Sequence, residues 1–250
     1  MCVPAADSLK DIMGAVHGVA YKYVAIAAAA SYGAYLSQAG SYARLGLAVI
    51  GATNSIIVVL FVADRGAHLL GKDAVTGRAP WYRALPWAGF LLPTWLYTYV
   101  HTLVGKVETA TEVAPGWWLG GRYADRAPDR PARWAGVLDL TAELPERCLD
   151  LCDDYLLVRC WDGAPPRTDD LERAAAFCAA ARRRGPVLVH CAHGRGRSTT
   201  AMCAALVRAG VCRDWRGAFA LCHRARPCVR LNKRMRAALG AWAGEFPPGS

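Results

Sequence analysis

Acidic side chains are scarce in this chain. Its 250 residues hold 20 Asp and Glu against 30 Lys and Arg, a formal net charge of +10. Charge of either sign is rarest at the start: residues 1–105 carry seven basic and four acidic side chains, net +3, whereas 106–250 carry +7. There is no Gly-x-y period and no low-complexity tract, which excludes a fibrous or collagen-like chain. A hydrophobic share of 54% excludes a disordered one. No secretory signal is expected, because the first apolar run begins late and Asp7 and Asp11 precede it. Arg is absent there while acid is present, a poor fit to a cleaved transit peptide. The Arg residues are scattered and no RNA- or DNA-binding module is present, so nucleic acid is not expected as a partner.

The hydrophobic excess is concentrated. Residues 45–63 run for 19 residues without a charge. At 1.5 Å per residue they reach roughly 29 Å, about the thickness of a bilayer core. Residues 84–105 are also uncharged, but Pro86, Pro93 and four Trp or Tyr side chains make an interfacial segment as reasonable as a span. Residues 24–43 are rich in Ala and Tyr and weakly apolar. Residues 1–105 therefore read as a helical membrane-associated region, with 45–63 the best span and 24–43 and 84–105 possible ones. The loop 64–83 carries Arg65, Lys72, Arg78 and Arg83 against Asp64 and Asp73, which the positive-inside rule places in the cytosol.

Residues 106–250 read as a charged α/β domain. Short apolar segments at 117–119, 136–141, 155–161 and 187–189 predict strands. Helical periodicity is expected over 169–184 with Thr168 as N-cap, then over 198–209, 215–224 and 233–243. Strands alternating with helices imply a largely parallel central sheet flanked by helices. The arginine runs 182–184 and 224–236 read as solvated helix faces. Ten cysteines occur, Cys2 and nine between Cys148 and Cys228. Their spacings match no zinc pattern, and several sit at apolar helical positions, so a reducing compartment is expected.

The segment with most chemistry is 187–200, VLVHCAHGRGRSTT. A buried strand delivers Cys191. Gly194 and Gly196 follow, then Arg197 and Ser198 open a helix. Small residues let backbone N–H groups turn inward to form an anion nest. The helix adds its positive N-terminal end, and Arg197 adds a planar fork suited to phosphate. Together they lower the pKa of a cysteine held among them. A thiolate in a cradle for a dianion suits displacement at phosphorus.

This Cys-(x)5-Arg-Ser loop, with His before Cys, resembles the signature of the cysteine-dependent protein tyrosine phosphatase superfamily. The resemblance implies that Cys191 forms a phosphocysteine and Arg197 holds the phosphoryl oxygens. It also implies that Ser198 eases thiolate departure and His190 orients the loop. The backbone of Ala192, His193, Gly194, Arg195 and Gly196 would bind the phosphate, with Arg195 either a solvated charge or an extension toward a second phosphate or acidic headgroup. No metal or organic cofactor is implied. The family's general acid lies on a loop before the cysteine; Asp162, 29 residues earlier in a Trp-Asp turn followed by prolines, is the candidate. WWLGGRY at 117–123, VLDLTAELPE at 137–146 and Arg226-Pro227 with Asn232 resemble the dual-specificity phosphatase branch. A membrane region ahead of such a domain is similar to a plant and algal type.

The expectation is a dual-specificity-phosphatase-like domain behind a membrane anchor. It would hydrolyse phosphotyrosine, phosphoserine or phosphothreonine on proteins. A phospholipid or phosphoinositide headgroup is the alternative substrate, and a catalytically silent phosphate-binding scaffold the non-enzyme one. The catalytic domain would face the cytosol or another reducing compartment. Cys160, Cys178 and Cys203 are candidates for a protective disulfide with Cys191.

Overall fold

The computed structural model describes residues 16–105 and 107–247. Cys2, Asp7, Asp11 and the boundary residue Lys106 lie outside them. Helices α1 (Val16–Leu36) and α2 (Tyr42–Val62) are followed by a single turn, α3 (Trp81–Ala84), and by α4 (Ala88–Val104). The remainder runs β1 (Ala110–Ala114), β2 (Trp117–Gly120), β3 (Trp134–Asp139), β4 (Cys152–Leu157), α5 (Thr168–Arg182), β5 (Val187–His190), α6 (Arg197–Arg208), α7 (Trp215–Ala225) and α8 (Lys233–Glu245).

The sheet order is β1-β2-β5-β3-β4. Four strands are parallel and only the edge strand β1 is antiparallel, pairing with β2. This is the α/β architecture that the alternating pattern predicts. β5 lies at the centre and all four of its side chains are buried. Its C-terminal end, where open parallel sheets place their sites, leads directly into Cys191.

Three local expectations shift. The strand expected over 155–161 ends at Leu157, so 158–161 leave the sheet and become free to carry the Trp-Asp turn. Thr168 is the first helical residue rather than the N-cap; the cap is Arg167, whose side chain makes no capping bond. The edge strand β1 has no strong apolar alternation and was not expected.

The N-terminal helices pack by small residues. Ala20, Ala27 and Ala34 recur every seventh position on the buried face of α1, which explains why that segment is only weakly apolar. α2 lies so close to its neighbours that a Cβ on Gly51 would meet Ser31 Oγ at 2.6 Å, and one on Gly89 would meet Ile50 Cα at 2.9 Å. Small residues allow such close helix approach. Pro93 sits inside α4 and has no N–H to give to the carbonyl of Gly89. Asn54, buried in the middle of apolar α2, donates through Nδ2 to that carbonyl at 3.0 Å. α2 is the one helix among the described residues long and apolar enough to cross a bilayer.

The segment between α2 and α4 is bound into the α/β part. Buried Lys72 pairs with Asp139 at the end of β3 and donates to Thr141. The carbonyl of Gly77 accepts from Glu146 N at 2.7 Å, and Arg234 pairs with Asp64 at 2.6 Å. The loop 64–83 is therefore fixed to the end of β3 and to the start of α8.

Asn54→Leu leaves the Gly89 carbonyl buried without a donor. It is expected to destabilise the full chain by about 1–3 kcal/mol, read as a lower Tm in detergent. An unchanged Tm would mean that Pro93 is accommodated without Asn54.

Candidate active site

The loop after β5 is shaped by where its carbonyls go. Ala192 O accepts from Arg122 N at 3.1 Å, and Arg195 O from Arg230 N at 2.9 Å. His193 O and Gly194 O accept from the guanidinium of Arg226 at 3.2 and 3.0 Å. Gly196 O accepts from Thr200 N at 2.9 Å. Each carbonyl is thus drawn outward. In a trans peptide the next N–H points the opposite way, so the amides of 193–197 turn inward. None of the amides of His193, Gly194, Arg195 or Gly196 donates to a backbone carbonyl among the described residues. The result is an anion nest capped by the N-terminus of α6. Gly194 is required here on two counts: its φ is +67°, and a Cβ would meet the backbone of Gly120 at 2.6 Å.

Cys191 lies at the base of this loop, 4% exposed. Burial by itself would raise its thiol pKa. The charge of Arg197, the Ser198 hydroxyl at 3.2 Å and the amides of Ser198 and Arg195 outweigh burial and hold it below the ordinary cysteine value. Cys160 and Cys178, by contrast, are pushed up by burial and lie in the apolar core. All nine described cysteines are free.

Arg197 is 1% exposed and fully engaged on one edge. Nη1 donates to Leu140 O at 3.1 Å and Cys160 O at 3.0 Å, and Nη2 to Glu143 Oε1 at 2.8 Å. Nη2 also lies 3.3 Å from Asp162 Oδ1. Its Nε has no partner among the described residues, which leaves a buried cationic donor for an incoming anion.

Asp162 comes to the site on a turn closed by Ala164 N to Trp161 O at 3.1 Å. Asn232 Nδ2 grips the turn through Gly163 O at 2.7 Å. Trp161 is held by the N-terminal region. Its Nε1 donates to Arg65 O at 2.8 Å, and its ring packs 6.0 Å from Phe61 and 6.4 Å from Phe90. The Asp162 side chain itself remains 46% exposed.

His190 is buried at the end of β5, its Nε2 2.8 Å from Glu146 Oε2 and 4.0 Å from Asp139. Burial opposes its charge, but the two carboxylates win and raise its pKa to about 9. Asp139, Glu146 and His190 bring metal-ligand types together, but the Lys72 ammonium already sits on Asp139 and supplies a cation there. His193 lies beneath α4, its ring 4.5 Å from that of His101 and 6.0 Å from that of Tyr97. Burial there pushes its pKa down to about 4 and keeps it neutral. The Arg195 side chain turns to a small recess shared with Arg122, Tyr123 and His101.

The structure thus brings Cys191, Arg197, Ser198 and Asp162 together, with His190 beneath the loop. Sequence reading missed Glu143, Glu146 and Asp139, and the role of Arg226. Their signal was available: three carboxylates in the otherwise apolar 137–146, just past a buried strand, need cations to be stable when buried.

No family model and no curated protein matches the chain. Similar solved structures include human DUSP28, 24% identical, covering 55% of this chain and 95% of that one with a TM-score of 0.46. A mouse putative dual specificity phosphatase with zinc tungstate is 25% identical, covering 57% and 91% with a TM-score of 0.49. PTPMT1 in complex with PI(5)P is 17% identical, covering 55% and 96% with a TM-score of 0.48.

The charge on His190 has a pH consequence. Its pKa is raised from 6.5 to about 9, so its pairing stabilises the fold fully below about pH 6.5 and fades as pH rises through about 9. The Tm of the wild-type chain is expected to fall over that interval. Glu146→Gln should start lower and fall less. Parallel curves for the two proteins would refute a buried imidazolium at His190.

Proposed function

We propose that this chain is a cysteine-dependent phosphatase that hydrolyses phosphate monoesters through a phosphocysteine. The observation that carries the reading is the loop itself: a lowered-pKa thiol facing inward-turned amides, with the unpartnered Nε of Arg197 beside it.

The Cys191 thiolate attacks phosphorus while the amides of 193–197 and Arg197 hold the equatorial oxygens. Charge spread over those oxygens in the transition state meets fixed donors in a dry pocket. The bond from phosphorus to the ester oxygen breaks, and Asp162 in its protonated form gives that oxygen a proton. Asp162, now a carboxylate, takes a proton from water as the water attacks phosphocysteine. The P–S bond breaks, and Ser198 donates a hydrogen bond to the departing thiolate. Phosphate leaves. Glu143 touches no substrate in this scheme; it fixes the guanidinium plane. His190 acts beneath the loop as a positioning residue.

The sequence motifs support the dual-specificity branch, with phosphotyrosine, phosphoserine or phosphothreonine as substrates, and a membrane-attached form of the plant and algal type. α2 would serve as the anchor and the catalytic face would lie in a reducing compartment, where Cys191 stays a thiol. The cradle serves any phosphate monoester that can reach it. A silent scaffold is disfavoured because nucleophile, arginine and acid are all present and adjacent.

Turnover of p-nitrophenyl phosphate by the full chain should vanish in Cys191→Ser; retained activity would end the proposal. Asp162→Ala should lower kcat about 10²- to 10⁴-fold for alkyl phosphates, which need a proton on leaving. The loss should be smaller for p-nitrophenyl phosphate. Equal losses for both would reassign the acid.

A further inference from the structure

The catalytic loop opens onto a cavity of about 140 Å³ built from both parts of the chain. Asp162 and Ala192 bound it at the active site; Tyr23 and Ile26 from α1 and Phe90 and Pro93 from α4 supply apolar walls. Lys22 also lines it, its Nζ 5.6 Å from the Tyr97 ring centroid. Asn54, Thr94, Thr98 and Glu143 add polar groups to these mainly apolar walls; such a cavity joined to a phosphate cradle suits a ligand that is charged at one end and mainly hydrocarbon at the other.

The outer surface of the helices points the same way. Among the described residues, the large hydrophobic side chains that remain exposed all lie between Tyr21 and Val104, with the single exception of Val211. They include Val49, Ile56 and Val59 on α2 and Leu92, Leu96 and Leu103 on α4. So much exposed hydrocarbon on helices beside one of spanning length fits contact with lipid tails. Lys22 stands near the cavity, where it can attract an anionic headgroup.

Resting on the phosphatase reading above, we propose that the substrate is a lipid phosphate monoester whose apolar chain occupies this cavity while its phosphate sits on the Cys191 loop. The chain enters from the bilayer between α1 and α4.

The test uses the full chain in lipid nanodiscs and a series of n-alkyl phosphates from ethyl to octyl. The value of kcat/KM is expected to rise about two- to four-fold per methylene, giving a linear rise in its logarithm, until the cavity is filled. Ile26 is 37% exposed at the cavity wall, so Ile26→Trp narrows the cavity with little demand on the core. That variant should flatten the slope. A flat slope in the wild type would overturn the proposal. So would a slope unchanged in Ile26→Trp, because partition into the bilayer would then account for it. A phosphotyrosine peptide turned over with higher kcat/KM than octyl phosphate would also overturn it. Turnover of p-nitrophenyl phosphate, and its loss in Cys191→Ser, are read in the same preparation. If that turnover is absent, the phosphatase reading itself fails; if it is present with a flat slope, only the lipid chain is excluded.

Discussion

The buried guanidinium of Arg197 is the interaction on which the rest of the site depends. An isolated cation at that depth would cost far more than the fold can supply. Glu143 balances its charge, and Leu140 O and Cys160 O take up its remaining Nη1 donors. Those partners come from the loops that follow β3 and β4, so a single side chain at the start of α6 ties two loops to it. The same group stabilises the Cys191 thiolate and reaches Asp162. Cys191, Asp162 and the scaffold are thereby coupled through one fixed charge.

A second buried network lies beneath the first. Lys72, Asp139, Tyr155, Glu146 and His190 gather around the exit of β5, their charges paired. Lys72 belongs to the segment between α2 and α4, so the N-terminal region helps to neutralise the base of the α/β part. Trp161 repeats the pattern on the other side of the cleft, fixed by Arg65, Phe61 and Phe90. The helices hold the Trp161-Asp162 turn, cover His193 and supply walls of the cavity beside the Cys191 loop.

The central features of this protein were legible in the sequence because they are local. The period and flanks of β5, the two glycines, and the Arg-Ser that opens α6 fix strand, nest and helix within 14 residues, and the place of Cys191 follows from them. The Trp-Asp turn was legible by spacing. The sequence also located the apolar region and the alternation that gives a parallel sheet. Tertiary structure decided what depends on long-range packing. Nothing near Glu143 in the chain says that it faces Arg197, and nothing near Lys72 says that it neutralises Asp139. Buried charges choose partners by proximity after the sheet order is set, and that order is invisible to a local pattern. The same holds for Asn54, a polar residue in an apolar run that makes sense only opposite Pro93. It holds most of all for the cavity, whose walls come from three helices and from the loops that carry Glu143, Asp162 and Ala192.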